Sequence, residues 1–262
     1  MSATIQSHTR RRDAGPGVNR AVTILLGPAV MLFGLALPAE GQDPAAAVHV
    51  GELYDSIQSQ SNPAQSYALY LPSTYTPDRA WPLLVLMDPR GRGLVPLAAI
   101  QNAAERYGYV VMSSLNTVSD NDVWKNELAF DAMVTDAQGA LALDPRRLCV
   151  VGLSGTARVA WDFGFRLGDN VAGVLGVGAG HEQSMILPVA IRDYGRPFAF
   201  FGTAGVLDFN YEELKALDAR LDELDFPHHV EYFDGGHEWP PDQVFERAVE
   251  WFELQAIPPR TP

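Results

Sequence analysis

The sequence predicts an α/β domain in which a doubly wound, mostly parallel sheet has helices on both faces. Three observations predict this. After residue 48, short β-branched or Leu-rich runs alternate with longer stretches of helical spacing; several runs are continuously apolar, as strands covered on both faces should be; and no internal repeat or interdomain linker is visible. With 262 residues, 47% of them hydrophobic, the chain can bury a substantial core, which excludes wholesale disorder.

Seven segments have the pattern of strands, the first by alternation and the others mainly by apolar or β-branched runs. In order they are Tyr67–Leu71, Leu83–Met87, Tyr109–Met112, Arg147–Gly152, Val171–Val177, Pro197–Phe201 and His228–Phe233. Apolar residues three and four positions apart predict helices between and after them. These helical stripes run from Leu97 to Tyr107, Phe130 to Leu141, Ala157 to Leu167, Leu214 to Leu224 and Phe245 to Phe252, the second ended by Asp144-Pro145. Such alternation implies right-handed crossovers.

Residues 1–41 have the pattern of a secretory signal peptide. Arginines in the first twenty residues precede the apolar run Ala21–Leu37, and small residues follow at a cleavage site that would leave Gln42 as the mature N-terminus. Cleavage two residues earlier is also open. An uncleaved membrane anchor is the alternative, although the run is slightly shorter than the roughly 20 residues a spanning helix needs. We therefore expect residues 42–262 to form a single domain, secreted or periplasmic, with no stable membrane span after signal removal.

The composition excludes several classes of function. The chain has 19 basic and 32 acidic residues, a formal net charge of −13, so we expect no nucleic-acid partner, because phosphate neutralisation needs clustered Lys and Arg. The single cysteine, Cys149, excludes an intramolecular disulfide and a multi-cysteine zinc site. Cys149 lies in a predicted buried strand, which favours a structural apolar role over nucleophilic chemistry.

The strongest local motif is Gly-x-Ser-Gly, which runs from a buried strand into a helix around Ser154. A serine on a tight strand-to-helix turn has an exposed hydroxyl, and the N–H of Gly155 at the helix start can point at a developing oxyanion. Thr156 stands where a second glycine is usual. The alternative is that Ser154 only caps the helix.

Two further residues complete a candidate triad. Asp208 follows a buried strand, and His237 follows two glycines after the last strand. The order Ser154, Asp208, His237 places each residue at the C-terminal end of a separate predicted strand, where open α/β sheets place ligands. Alternatively, Asp208 only caps the helix that begins near Tyr211. His181 also follows a strand and could line the pocket.

Four segments carry a resemblance to a known family. They are 67–72 (YALYLP), 152–160 (GLSGTARVA), 202–211 (GTAGVLDFNY) and 233–241 (FDGGHEWPP). The chain resembles the α/β-hydrolase superfamily, specifically its small secreted esterases and its polyester-depolymerase-like or feruloyl-esterase-like members. The resemblance implies an α/β-hydrolase fold with little or no lid, hydrolysis of a small-molecule or polymeric ester through an acyl-enzyme, and no metal or organic cofactor. An exopeptidase-like serine hydrolase and a non-catalytic binding protein are the alternatives.

The chain departs from the family pattern after the strand Leu83–Met87, where Asp88–Gly93 replaces a His-Gly-x-Gly oxyanion loop. We expect a backbone N–H of Arg90 or Gly91 to serve as the second oxyanion donor. The Arg90 and Arg92 side chains are expected to be solvated or paired with Asp88; alternatively, one of them binds a substrate carboxylate.

Three residues near the same sheet end are predicted to shape the substrate pocket. Asn116 and Trp124 lie on a predicted loop, and Trp239 follows the candidate histidine closely. An aromatic side chain in that position can wall an acyl or aryl pocket, or it can anchor the loop by packing.

Overall fold

The computed structural model describes residues 48–119, 122–180 and 198–256, and these ranges contain one eight-stranded sheet. The strands are β1 Leu53–Gln58, β2 Ser66–Tyr70, β3 Trp81–Met87, β4 Val110–Ser114, β5 Leu143–Leu153, β6 Val171–Val177, β7 Ala199–Gly205 and β8 His228–Phe233. They lie in the order β1-β2-β4-β3-β5-β6-β7-β8. The β1–β2 and β2–β4 pairs are antiparallel, and the remaining pairs are parallel.

Helices cover both faces of the sheet. They are α1 Leu94–Tyr107, α2 Val123–Ala140, α3 Gly155–Leu167, α4 Tyr211–Glu223 and α5 Asp242–Ala256. Buried side chains of α1 and α5 form one hydrophobic cluster with the sheet, and those of α2, α3 and α4 form a second cluster. The predicted fold class is therefore confirmed.

Every residue of β3 is buried, and its side chains alternate between the two clusters. Leu83 and Val85 join the cluster of α2, α3 and α4, whereas Leu84 and Leu86 join that of α1 and α5. This two-sided burial is the reason for the continuous apolar run in the sequence. Because β3 and β5 to β8 run parallel, the segments that follow them all leave the same edge of the sheet.

The clearest differences from the sequence-based predictions concern β1 and the boundary between α2 and β5. Strand β1 was not predicted, because Leu53–Gln58 is half exposed and lacks an apolar alternation. Helix α2 ends at Ala140, before Asp144-Pro145, which lies at the start of β5. The β3–β5 register is irregular there, so the proline falls in a stretch where regular pairing is interrupted.

Some predictions lie outside the described residues. The leader, residues 1–41, is one of them, and His181 and the rest of 181–197, between β6 and β7, are another. The expectation of little or no lid depends partly on that second segment. Within the described ranges, no helix has the length and apolarity needed to cross a membrane.

Candidate active site

Ser154 lies on a tight turn between β5 and α3. Its backbone has φ 57° and ψ −126°, a conformation that L-residues rarely adopt, and its side chain makes no capping hydrogen bond to the helix. The turn also requires Gly152, because a Cβ there would lie 2.3 Å from the carbonyl oxygen of Thr156. The hydroxyl of Ser154 is thus available at the cavity described below instead of serving as an N-cap.

Thr156 connects this turn to the end of β3. Its buried hydroxyl oxygen lies 2.6 Å from the carbonyl oxygen of Met87 and 2.8 Å from that of Leu153, and it accepts the Leu153 N–H at 3.0 Å. The single hydroxyl proton serves one of the two carbonyls at a time. The departure from the usual second glycine therefore adds a link between two strands.

Asp208 and His237 form a pair in the loops that follow β7 and β8. Nδ1 of His237 lies 2.9 Å from both carboxylate oxygens of Asp208, whose side chain is 1% exposed against 21% for the imidazole. The N–H of Asn210 donates to Asp208 Oδ1 at 2.8 Å. A carboxylate on Nδ1 holds the proton on that nitrogen and leaves Nε2 as the acceptor.

Gly178, just beyond β6, packs directly against this pair. Its φ is +60°, and a Cβ there would lie 2.7 Å from Asp208 Oδ2 and 3.0 Å from His237 Nδ1. Its carbonyl accepts the Asn210 side-chain amide at 2.8 Å. Sequence reasoning did not single out Gly178; the signal was a glycine immediately after a buried strand.

The loops that carry Asp208 and His237 meet backbone to backbone. The N–H of Leu207 donates to the carbonyl of Gly235 at 2.9 Å, and a Cβ on Gly205 would lie 2.2 Å from that same carbonyl oxygen. Only glycine at position 205 permits this approach, which brings the carboxylate within reach of the imidazole.

The loop after β3 is organised by Asp88, which is fully buried. Its Oδ1 accepts three hydrogen bonds: from the backbone N–H of Arg90 at 2.8 Å, from the backbone N–H of Arg92 at 3.2 Å and from Nε of Arg92 at 3.1 Å. Its Oδ2 accepts two more, from Nη2 of Arg92 at 2.9 Å and from Nε1 of Trp239 at 2.8 Å. Burial acts to raise the pKa of Asp88, but these hydrogen bonds outweigh it and lower the pKa below its ordinary value. Arg92 is thus a partner of Asp88, which was one of the two roles expected for it.

The predicted oxyanion donors on this loop are already engaged. The N–H of Arg90 donates to the Asp88 carboxylate, and the N–H of Gly91 donates to the Asp88 carbonyl at 3.1 Å. By contrast, Gly155 is the first residue of α3, so its N–H has no acceptor within the helix. It remains the better placed of the predicted donors.

A cavity of about 570 Å³ lies between the serine turn, the loop after β3 and the loop that carries His237. Ser154 and His237 both line it. Its other described lining residues are Pro89, Arg90, Arg92, Val95, Ser119, Leu153, Phe209, Glu238 and Trp239. Phe209 is 76% exposed, yet its ring centroid lies 4.1 Å from that of His237, so it forms a wall beside the imidazole.

Of the three predicted pocket residues, the structure brings only Trp239 to this cavity. Asn116 instead accepts the backbone N–H of Ser66 at 2.6 Å, which fixes the start of β2. Trp124 lies on α2 and not on a loop, and its side chain is exposed beside Lys125. Position at the right edge of the sheet did not determine which way these side chains point.

Cys149 is buried in β5, and burial raises the pKa of its thiol to about 12. The thiol is therefore protonated at neutral pH, which agrees with a structural role. Among the described residues, no group of three or more His, Cys, Asp or Glu side chains is placed to hold a metal ion.

Neither a protein-family model nor a curated protein sequence matches this chain. Solved structures do match it, though at low sequence identity. The S-formylglutathione hydrolase of Staphylococcus aureus has a TM-score of 0.61 at 16% identity, over 78% of this chain and 98% of that chain. Fluorophosphonate-binding serine hydrolase F of the same organism has a TM-score of 0.61 at 14% identity, over 78% of this chain and 98% of that chain.

A third similar structure is a mutant of the feruloyl esterase module of Clostridium thermocellum, complexed with sinapinate. It has a TM-score of 0.61 at 13% identity, over 81% of this chain and 92% of that chain. All three comparisons extend over most of both chains. The chain therefore has the α/β-hydrolase fold.

Proposed function

We propose that this protein is a serine hydrolase that cleaves carboxylic esters, with Ser154 as nucleophile, His237 as general base and Asp208 as the residue that orients the imidazole. The observation that carries the proposal is the contact of His237 Nδ1 with the buried Asp208 carboxylate, at 2.9 Å, together with the cavity that His237 and Ser154 both line. The similar structures named as esterases and as serine hydrolases support it.

In the first half of the reaction, Oγ of Ser154 attacks the ester carbonyl carbon while His237 Nε2 takes the hydroxyl proton. The carbonyl π electrons move onto oxygen. When the intermediate collapses, the bond to the leaving alkoxide breaks, the alkoxide takes the proton from Nε2, and an acyl-serine remains. Water then attacks the acyl-serine with the same base, releases the acid and restores Ser154.

The oxyanion formed in each step needs hydrogen-bond donors. The N–H of Gly155 is the first. The second is predicted to come from Arg90 or Gly91, and this requires that N–H to share its present bond within the Asp88 loop. Loss of one such donor typically lowers turnover by about 100-fold or more, so the second donor has a measurable effect.

The substrate class is a carboxylic ester, either a small molecule or a polymer. The acidic net charge of −13 disfavours a polyanionic partner. The leader predicts that the enzyme acts outside the cytoplasm, in the periplasm or the medium. Expression of the full chain in an exporting host, followed by N-terminal sequencing, should give a mature chain that begins at Gln42; an unprocessed chain would favour the anchor alternative.

The decisive experiment is labelling with a fluorophosphonate probe. We expect the folded protein to be labelled at Ser154, with loss of both labelling and p-nitrophenyl ester hydrolysis in Ser154→Ala. Ser56→Ala, at an exposed position on β1, is the matched control and should behave as wild type. Folded wild-type protein without label would support the binding-protein alternative, and faster cleavage of an amide than of its matched ester would support the exopeptidase alternative.

A further inference from the structure

One hydrogen bond joins the loop after β3 to the loop that carries His237. Nε1 of Trp239 donates to Asp88 Oδ2 at 2.8 Å, between residues 151 positions apart in the chain. In the sheet, β3 and β8 are separated by β5, β6 and β7. The bond therefore spans the strand end that presents Ser154, and it links the two loops that border the cavity.

Asp88 is suited to act as the fixed end of this link. Its carboxylate is fully buried, and Arg92 holds it through both Nε and Nη2. The preceding residue, Met87, offers its carbonyl to the Thr156 hydroxyl in the serine turn. Two consecutive residues at the end of β3 thus contact the serine side and the histidine side of the site.

Trp239 is suited to be the other end of this link. It lies two residues after His237, and its ring packs near Phe245 of α5, with centroids 6.0 Å apart. Its exposed edge lines the cavity beside Ser154. A bond at the indole nitrogen fixes both the depth and the rotation of this ring, and through it the short segment that leads back to the imidazole.

We propose that Asp88 is a positioning residue for the reaction: through the Trp239 indole it holds the His237 loop at a set distance from the oxyanion loop and the nucleophile. This inference rests on the proposed function. Asp88 is fully buried and is not among the described residues that line the cavity, so it acts through Trp239 and through the N–H groups of its own loop.

Trp239→Phe removes the N–H donor and the second ring of the indole but keeps an aromatic ring at the cavity, and the double-mutant cycle described next separates the loss of the bond from the loss of the ring. Hydrogen bonds to charged groups contribute enough that we expect at least a roughly tenfold slower second-order rate of fluorophosphonate labelling and an equally reduced kcat. KM should be unchanged, since the wall of the cavity remains. Trp124→Phe, the same substitution at an exposed tryptophan on α2, should label at the wild-type rate.

A double-mutant cycle with Asp88→Asn separates positioning from general damage. If the bond is the link, adding Trp239→Phe to Asp88→Asn should lower the labelling rate and kcat little further, so the rate reductions of the two single variants should not multiply. In ¹⁵N-indole spectra, the Trp239 resonance, identified by its loss in Trp239→Phe, should shift in Asp88→Asn. Should Asp88→Asn fail to fold, the Trp239→Phe rates decide the question alone.

The inference is overturned if Trp239→Phe labels and turns over at wild-type rates, if only its KM changes, or if the two effects multiply in the cycle. Failure of the proposed function is distinguishable from all of these, because then the wild-type protein itself carries no label on Ser154. That result would overturn both proposals.

Discussion

Replacing Ser154 by glycine tests whether the serine turn is strained. Ser154 has φ 57° and ψ −126°, almost the same backbone angles as Gly168 at the end of α3, with φ 53° and ψ −127°. A residue with a Cβ in such a region costs about 1–3 kcal/mol relative to an unstrained conformation. The fold uses glycine at one of these two positions and serine at the other, where we propose that the hydroxyl reacts.

The free energy of this backbone strain can be measured by comparing two variants that both lack the hydroxyl. Ser154→Ala removes the hydroxyl and keeps the Cβ, whereas Ser154→Gly removes both. Against the relief of strain stands the greater freedom of glycine in the unfolded chain, about 0.4–1 kcal/mol. We therefore expect the glycine variant to exceed the alanine variant by about 1 kcal/mol in free energy of unfolding, or about 2–4 °C in Tm for a domain of this size.

Thermal unfolding of wild type and both variants measures the difference. Gly168→Ala is the matched control, because the added Cβ would have no atom within 4 Å and so reports the cost of the backbone angles alone. It should lower the stability by a similar amount. The reasoning is refuted if Gly168→Ala is destabilised while Ser154→Gly is no more stable than Ser154→Ala.

Three other changes have expected outcomes. Gly178→Ala pushes a methyl group against the histidine–aspartate pair, so kcat on a p-nitrophenyl ester should fall by about 100-fold, and an active variant would contradict the geometry. Although burial acts to raise the pKa of Asp88, hydrogen bonds from Arg92 and Trp239 lower it. The ionised Asp88 carboxylate therefore stabilises the fold above its unfolded pKa of about 3.9, and this stabilisation is lost as the pH falls through the lower folded pKa. In urea titrations, Asp88→Asn should have a lower free energy of unfolding than wild type at pH 7, and the difference should shrink below about pH 4. Because burial raises the pKa of Cys149 to about 12, iodoacetamide should modify this thiol at pH 8 only after unfolding, as mass spectrometry of native and denatured protein would reveal.

The sequence predicted the features that depend on local pattern. Continuous apolar runs identified strands such as β3 and β6, and glycine-rich strand ends identified Ser154, Asp208 and His237 as candidates, which the fold then places around one cavity or in direct contact. Each of these signals is contained within a few consecutive residues of the chain. They could therefore be recognised without knowledge of the tertiary structure.

Features that depend on distant parts of the chain could not be predicted in this way. Nothing in the sequence places β4 between β2 and β3, or pairs the Trp239 indole with a carboxylate 151 positions away. Asn116 and Trp124 both follow β4 along the chain, but the direction of each side chain depends on its neighbours, Ser66 for the one and solvent for the other. Half-exposed β1 had too little apolar signal to be recognised.

The order of the site along the chain has a consequence for how activity is acquired. The turn that carries Ser154 is complete by α3, whereas Asp208 and His237 follow β7 and β8, the last two strands of the described sheet, and the indole bond closes only after them. Contacts of such large sequence separation form slowly, because a long loop must close before they contribute. During refolding, helical signal should therefore return before reactivity toward a fluorophosphonate. A chain shortened before β8 would carry the serine turn without His237, and we expect it to remain unreactive toward the probe however long it is allowed to fold.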